Sequence, residues 1–423
     1  MTMRLFLLLL NLVLIGPLAA ALPDFAWVGA LSSRSAVVST NLPQPEGSVR
    51  LFLSRSSSFE DAQELAPSSV QAANGQQVAR FSLEGLHPGT EYYYRIERPE
   101  PTEATEGSFQ TYPEGAASFQ LTFGSCSSTG SDQPVFDAIA AEPSLLHLVT
   151  GDFHYENIGT NSPSKFLDAY GRNLASPGWQ ELMQTVPMAY VWDDHDFGAN
   201  NSDGTSPSAP AARSIYELVV PHYSLQDSQA IYQSFEIGRV LFILLDTRSY
   251  RTPYKGTDPA ERTMLGARQK AWLKAQLLRG MEENALIVLV SSSPWISAPG
   301  SRKSDDNWGG YALERQEIAD FIVENGIHRK LCMLAGDAHM VAIDDGTNNT
   351  YAGAHFPVFH AAALDRNGSV KGGPYSHGAI PGGGQYGLVN ILDDGGDAVE
   401  VIWQGKNASG EVLMEHKFEV EVP

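Results

Sequence analysis

Four short segments place metal-ligating or nucleophilic side chains directly after an apolar run. Phe123 is followed by Gly124-Ser125-Cys126-Ser127, and Val149 by Thr150-Gly151-Asp152-Phe153-His154-Tyr155-Glu156-Asn157. Trp192 is followed by Asp193-Asp194-His195-Asp196-Phe197-Gly198, and Ala335 by Gly336-Asp337-Ala338-His339. Together they offer a thiol, carboxylates, a phenol and imidazoles, which is a metal-site donor set. The chemistry that needs such a set is hydrolysis of an anionic ester. Cations neutralise the phosphate oxygens, lower the pKa of a bound water and stabilise the leaving oxygen. Asp152 is placed to bridge two cations through its two oxygens. Gly151 and Gly336 precede ligand candidates and let the chain turn sharply.

The elements that must position these residues are apolar runs at 119–123, 145–149, 188–192, 240–245, 285–290 and 330–335. Continuous apolar runs predict strands buried on both faces. Helical spacing appears between them, at 265–278 (Leu265, Trp272, Leu273, Leu277) and 311–325 (Leu313, Ile318, Phe321, Ile322). Ligands of such α/β sheets sit beyond the carboxyl ends of the strands. If the motif-bearing strands are parallel neighbours, all four clusters converge on one edge. The tail returns to strands at 388–392, 399–403 and 418–422.

Residues 22–113 read differently. Alternating runs at 36–40, 49–53 and 78–83, separated by turn clusters at 43–47 and 73–75, predict an all-β region. An acidic, proline-containing linker at 99–107 and a break at 112–115 separate it from the α/β pattern that begins at 118. At roughly 100–200 residues per domain, a chain of 423 residues suggests two or three domains.

Composition narrows the function classes. The 43% hydrophobic and 18% charged content describes a folded protein. The net charge of −21 disfavours polyanions, so no nucleic-acid-binding surface is expected. Residues 1–21 read as a signal peptide: Arg4 is the only charge before Asp24, the apolar run 5–15 is broken only by Asn11, and small residues Ala19-Ala20-Ala21 follow Gly16-Pro17. The run is shorter than the ~20 residues a membrane span needs. The expectation is a secreted or periplasmic protein with no integral membrane segment after signal cleavage.

The motif set Gly-Ser-Cys, Gly-Asp-x-x-Tyr-Glu, Trp-Asp-Asp-His-Asp, Leu-Asp-Thr-Arg-Ser-Tyr-Arg and Gly-Asp-Ala-His resembles the PhoD-like alkaline phosphatases, calcineurin-like metallophosphoesterases with a cysteine at the first ligand position. The resemblance runs from about 118 to 423. Upstream, the corner Leu83 to Ile96, with Pro88 and Tyr92-Tyr93-Tyr94, is similar to that of a fibronectin type III sandwich. The implied architecture is α/β: a two-sheet metallophosphoesterase sandwich with flanking helices over 118–423, preceded by a small all-β sandwich over 22–113. Trp27 would fill that sandwich's core from the opposite sheet.

By position, the resemblance implies that Cys126 and Tyr155 ligate ferric iron (Fe3+), with Asp152 bridging to calcium (Ca2+). Asp194 becomes a metal ligand and His195 a residue for phosphate or the leaving group. Asp337 and His339 form the closing ligand pair, and Asn200 reaches calcium or phosphate. Two departures stand out. Ser291-Ser292-Ser293 occupies the place where many relatives carry a histidine, which suits an oxygen-rich calcium site. His154 replaces an apolar residue and would face the substrate.

The implied activity is hydrolysis of phosphate mono- or diesters, with small-molecule or lipid phosphate esters as substrates. One alternative is a phospholipase D-like phosphodiesterase, with Trp179, Trp295, Trp308 and Tyr375 lining an apolar groove. Another is a non-catalytic surface binding protein that retains the fold. Cys126 and Cys332 sit at different depths, so a disulfide between them looks strained, and Cys332 reads as a buried small hydrophobe. Asp193 reads as an acceptor behind the ligands, and Asp196 as a helix cap or an orienter of His195. Arg248 either grips phosphate by its planar fork or pairs with Asp246 and braces its loop. Arg251 is a weaker candidate for the same task. His360, His377 and Lys371, around a glycine-rich stretch, read as pocket rim or solvated loop. His147 reads as a packed histidine, and His222 stays open. Sequons occur at Asn200, Asn348, Asn367 and Asn407, and a glycan at Asn200 would clash with a role in the site.

Overall fold

The computed structural model describes residues 22–42, 49–99, 104–298 and 304–422. The signal-peptide expectation for 1–21 lies outside the described residues.

The N-terminal region is a sandwich of two four-stranded antiparallel sheets. One runs in the order Trp27–Gly29, Ser35–Asn41, Gln76–Glu84, Ser69–Ala73. The other runs Gln63–Leu65, Arg50–Ser54, Glu91–Glu97, Thr105–Gln110. Glu91–Glu97 shows why: Tyr92, Tyr94 and Ile96 are buried while their neighbours face outward, the two-residue period of a half-buried strand. The corner before it is pinned by the Tyr92 hydroxyl, which accepts the His87 N–H at 3.0 Å.

Trp27 does not fill the sandwich core. Its ring lies 5.6 Å from Phe153 and 6.3 Å from Tyr190, so it packs across to the α/β region. Gly29 allows this approach, since a Cβ there would lie 2.5 Å from the Pro221 carbonyl oxygen. Arg80 adds a polar tie, donating to the carbonyls of Glu217 and Val220 at the end of the helix Ala209–Val219.

The rest of the chain is an α/β sandwich of two sheets. The six-stranded sheet runs Met188–Tyr190, His147–Val149, Phe119–Gly124, Gln385–Leu392, Ala398–Asn407, Val412–Glu421. Its first three strands are parallel and the remainder antiparallel. The seven-stranded sheet runs Gln233–Ile237, Val240–Leu244, Leu286–Ser291, Leu331–Ala335, Val358–Ala361, Met340–Asp344, Ala379–Pro381. Its second to fifth strands are parallel. The inner faces interlock through aromatic rings, Phe123 against Phe359 at 4.9 Å and Phe359 against Trp403 at 5.3 Å. Helices Pro163–Leu174, Pro177–Thr185 and Ala209–Val219 cover the first sheet, and Gly266–Glu283 and Ala312–Glu324 the second.

The four motif-bearing strands are therefore not all neighbours. Three are parallel neighbours in the first sheet. The fourth, Leu331–Ala335, belongs to the facing sheet. The clusters meet across the end of the sandwich.

Candidate metal centre

The loops that carry the donors are bent in ways ordinary side chains resist. Cys126, Asp152 and Asp337 all have positive φ, at +64°, +52° and +63°. Each such residue costs roughly 1–2 kcal/mol and persists only where its surroundings hold it. Here the loops hold one another. The Cys126 N–H donates to the Gly151 carbonyl at 3.3 Å, and Ser127 N–H to the Asp152 carbonyl at 2.9 Å. The Asp337 N–H reaches Ser125 Oγ at 3.2 Å. The two preceding glycines are required by close approach. A Cβ on Gly151 would lie 2.6 Å from the Asp193 Cβ, and one on Gly336 would collide with the Thr150 carbonyl. Asp194 opens the short helix Asp194–Phe197, which Asp193 and Asp196 close as a capping box.

This backbone gathers the predicted residues. Ligand atoms of Asp152, Asp193, Asp194 and Asp337 lie within 4.8 Å of one another, as do those of Asp152, Asp194 and His195. Cys126 Sγ is 3.5 Å from Asp152 Oδ2 and 3.7 Å from the Asp337 carbonyl oxygen. The Tyr155 hydroxyl is 3.0 Å from His339 Nε2, and its ring stacks on His195 at 3.8 Å. His339 Nδ1 is 2.7 Å from the Asn367 carbonyl, which fixes that nitrogen as the donor and turns Nε2 inward. Both cysteines are free thiols.

The electrostatics fit cations. Burial, then Asp194 and its acidic neighbours, pushes the Asp152 carboxyl well above its ordinary range. Burial also raises Asp337, against the pull of Lys371. Burial, then Asp152 and Asp337, raises the Cys126 thiol, and burial followed by Asp152 and Cys126 raises the Tyr155 phenol. Asp194 is the exception. Burial pushes it up, but Arg248, His195 and Lys371 together hold it below the usual carboxylate range. Asp194 Oδ1, Asp337 Oδ2 and His195 Nδ1 are buried without a hydrogen-bond partner among the described residues. Unsatisfied buried polar atoms are costly and call for an explanation. Positive charge at this point would supply one and invert each upward shift.

Above the carboxylates lies a cavity of about 460 Å³ whose walls include Tyr155, Asp194, His195, Asn200, Asp337 and His339. Cys126 and Asp152 are fully buried beneath it. A wider groove of about 840 Å³ lies between the strand Ser69–Ala73 and the helix Ala209–Val219. Its basic residue Arg213 is already engaged by Glu217 and by the carbonyls of Ala230 and Asp227, so it presents no comparable convergence.

Several candidates stand elsewhere than expected. Arg248 is fully buried behind the acidic loops. Its Nε donates to Asp193 at 2.6 Å and a terminal nitrogen to Asp306 at 3.1 Å, so it braces and cannot grip a ligand in the cavity. Arg251 is spent on the Thr247 carbonyl and Ser293 Oγ. His154 is buried against Phe166 and Tyr170, turned away from the cavity. His360 is buried beside Tyr375, and His377 pairs with Asp345 at 3.9 Å. Trp179, Trp295 and Trp308 are fully buried and Tyr375 nearly so; none lines a groove. Asn200 is exposed at the cavity edge, its amide bonded to Asn201 Oδ1. The serine run lies behind the centre, where Ser292 Oγ donates to Asp193 at 2.8 Å.

Three charged residues of the cavity wall escape sequence reasoning or are undervalued by it: Arg366, Lys371 and Asp306. The Arg366 guanidinium lies 4.1 Å over the Tyr155 ring and donates to Ser128 Oγ at 3.0 Å. Basic residues just after an apolar run and inside a glycine-rich loop are the signal that Arg366 and Lys371 carry. Asp306 carries none.

The profile of the PhoD-like phosphatase family matches residues 134–364. Alkaline phosphatase D of Bacillus subtilis (strain 168) is 24% identical over 322 residues, covering 63% of this chain and 55% of the relative. Purple acid phosphatase 23 of Arabidopsis thaliana is 24% identical over 278 residues, covering 61% and 55%. The chain thus spans about half the length of the curated relatives it matches. Among solved structures, that of PhoD superposes with a TM-score of 0.69 at 18% identity, covering 96% of this chain and 94% of the other. The yellow lupin (Lupinus luteus) purple acid phosphatase PPD1 gives 0.63 at 12% identity, covering 94% and 74%. The structures speak for the fold and the profile, spanning more than half of the residues, for descent: this chain belongs to the PhoD-like phosphatase family.

Proposed function

We propose that this chain is an exported, metal-dependent phosphoesterase acting on phosphate mono- or diesters. The observation that carries the reading is the convergence under the open cavity of two buried acceptor atoms, Asp194 Oδ1 and Asp337 Oδ2, that have no hydrogen-bond partner among the described residues. Cys126, Asp152, Tyr155, Asp194, Asp337 and His339 would hold the metals. A thiol and a phenol favour Fe3+, and the oxygen-only side at Asp194 suits Ca2+. Bound cations would neutralise phosphate oxygens and acidify water.

The chain's own residues supply the rest. Burial holds His195 below its ordinary pKa, so it is neutral at pH 7 and above. As a neutral ring in the cavity wall, stacked on Tyr155, it can donate a hydrogen bond to a phosphate or leaving oxygen without giving up its proton. Arg366, on the cavity wall with its guanidinium over the Tyr155 ring, takes the phosphate-gripping role that the sequence offers for Arg248. Asn200 borders the entrance. In this reading 118–423 carries the chemistry and the sandwich at 22–113 buttresses it.

With Trp179, Trp295, Trp308 and Tyr375 buried, none of them supports the lipid groove that a phospholipase D-like reading drew on. Small phosphate esters fit the polar cavity better. No helix among the described residues is long and apolar enough to cross a membrane.

The test joins elemental analysis, a visible spectrum and a panel of phosphomonoesters and phosphodiesters. Iron, a visible charge-transfer band and hydrolysis of at least one ester class are expected. A colourless, iron-free, fully active enzyme overturns the iron assignment. A metal-loaded protein that cleaves no ester overturns the function and favours the non-catalytic binding protein.

A further inference from the structure

Lys371 reaches from the glycine-rich loop into the corner between Asp306 and Asp337. Its Nζ is 2.5 Å from Asp337 Oδ1 and 2.6 Å from Asp306 Oδ2, and the side chain is only 14% exposed. The two oxygens of Asp337 are thereby divided. Oδ1 meets the ammonium, and Oδ2 stays unpartnered beside the other carboxylates. Asp306 is shared too, accepting from Arg248 at 3.1 Å on its other oxygen.

The lysine is not a loose surface side chain that happened to fold inward. Its carbonyl accepts the Tyr375 hydroxyl at 2.9 Å. The next residue, Gly372, has φ of +71° and passes so close to the Ile296 carbonyl that a side chain would collide with it. Gly373 N–H then donates to that same carbonyl at 2.7 Å. The backbone aims Lys371 at the acidic cluster. A lysine ammonium is a compact point charge with three donors, so it satisfies two carboxylates at once. Unlike a metal ion, it cannot dissociate.

We propose that Lys371 is a built-in cation of this centre: it holds the corner between Asp306 and Asp337, and the centre takes up one fewer metal ion than its carboxylates would otherwise bind. This rests on the metal-centre reading above. The two contacts of Nζ, to Asp337 on one side and Asp306 on the other, hold the ammonium at that corner.

The experiment is calcium titration calorimetry with elemental analysis on wild type, Lys371→Ala and Lys371→Arg. The alanine variant is expected to bind one more divalent cation per chain, and the arginine variant the wild-type number. Equal, non-zero stoichiometry in wild type and Lys371→Ala overturns the inference and leaves the phosphoesterase reading standing. No metal in any form overturns both. A second measurement needs no variant: acylation of wild-type lysines by an N-hydroxysuccinimide ester, followed by mass spectrometry. Lys371 is expected to stay poorly reactive with and without calcium. A rise of about tenfold on metal loading would mean that the ion displaces it, since a freed, solvated lysine reacts readily, and that outcome also overturns the inference.

Discussion

Two sets of aspartates at the same end of the sandwich are buried to the same degree and could hardly be more different. Asp246 follows the strand Val240–Leu244 and is fully buried. Its Oδ1 accepts from Trp192 Nε1 at 2.9 Å and from the N–H groups of Arg248 and Ser249 at 3.0 and 2.9 Å. Its Oδ2 accepts from Ile231 N–H and Ser249 Oγ. Asp152 has the His195 N–H at 3.3 Å, the Cys126 thiol at 3.5 Å and the Tyr155 phenol, all groups of the candidate centre itself. Among the described residues Asp337 Oδ2 has no hydrogen-bond partner, and Asp194 Oδ1 has only an Arg248 nitrogen at 3.6 Å. Burial does not separate a structural carboxylate from one awaiting a cation. The donors around it do. Satisfied acceptors lock loops together, whereas unsatisfied ones of like charge store repulsion that positive charge can relieve.

The largest break in this comparison is Asp152→Asn. Catalytic efficiency should fall by about 10³-fold or more, near 4 kcal/mol of transition-state stabilisation. In chelator the same variant should melt above wild type, because one of several mutually repelling carboxylates is gone. Steady-state kinetics and thermal melts read the two arms. Full activity in the variant would end the bridging role.

Asp246→Ala should do the reverse. It orphans Trp192 Nε1 and several backbone donors at once, and urea denaturation should show a loss of about 3 kcal/mol. That loss should be the same with and without metal. A loss confined to the metal-loaded form would make Asp246 part of the centre.

The sequence shows one half of this contrast and hides the other. Strands buried on both faces are spelled as unbroken apolar runs, so 119–123, 240–245 and 330–335 are legible, and so are the polar clusters after them. What an aspartate after a strand does there is not, because Asp246 and Asp337 look alike until their donors are known. Lys371 and Asp306 lie 65 residues apart and meet only through loop geometry that no periodicity encodes. The same blindness to direction affects Arg248, His154 and the three tryptophans. Each has the right chemistry for the cavity and faces the core.

Buried histidines offer a smaller test on the frame side. His147 is fully buried, with Nδ1 2.9 Å from Thr122 Oγ1, and burial lowers its pKa to about 3. In the unfolded chain it takes a proton near pH 6.5. Below that pH the unfolded state binds more protons, so its contribution is intact above pH 6.5 and is lost as the pH falls toward 3. Acidification also protonates the metal-centre carboxylates, so the useful quantity is a difference. From pH 7.5 to pH 5, wild type should lose about 2 kcal/mol of stability relative to His147→Gln. A pH-independent difference would mean that His147 is charged or solvated in the fold.

Asn200 marks the edge of the comparison, and its variant should have the smallest effect. The residue borders the cavity, and by resemblance it would reach calcium or phosphate. Its side chain is exposed and donates to Asn201 Oδ1 at 2.7 Å, while its N–H is held by Asn157 Oδ1 at 3.0 Å. The contact to the acidic cluster is made one residue later, where the Asn201 N–H donates to Asp194 Oδ2 at 2.6 Å. A main-chain donor needs no particular side chain, so truncating its neighbour should leave it in place. Asn200→Ala is therefore expected to lower kcat/KM by about two- to threefold, or roughly 0.5 kcal/mol. A loss of about 100-fold, near 3 kcal/mol, would show that the amide leaves Asn201 for phosphate or metal during the reaction. The split between kcat and KM would then say when. A fall in kcat alone would mark a contact made only in the transition state, and a rise in KM alone a contact made equally to bound substrate. Either outcome would move Asn200 from the satisfied side of the comparison to the unsatisfied one.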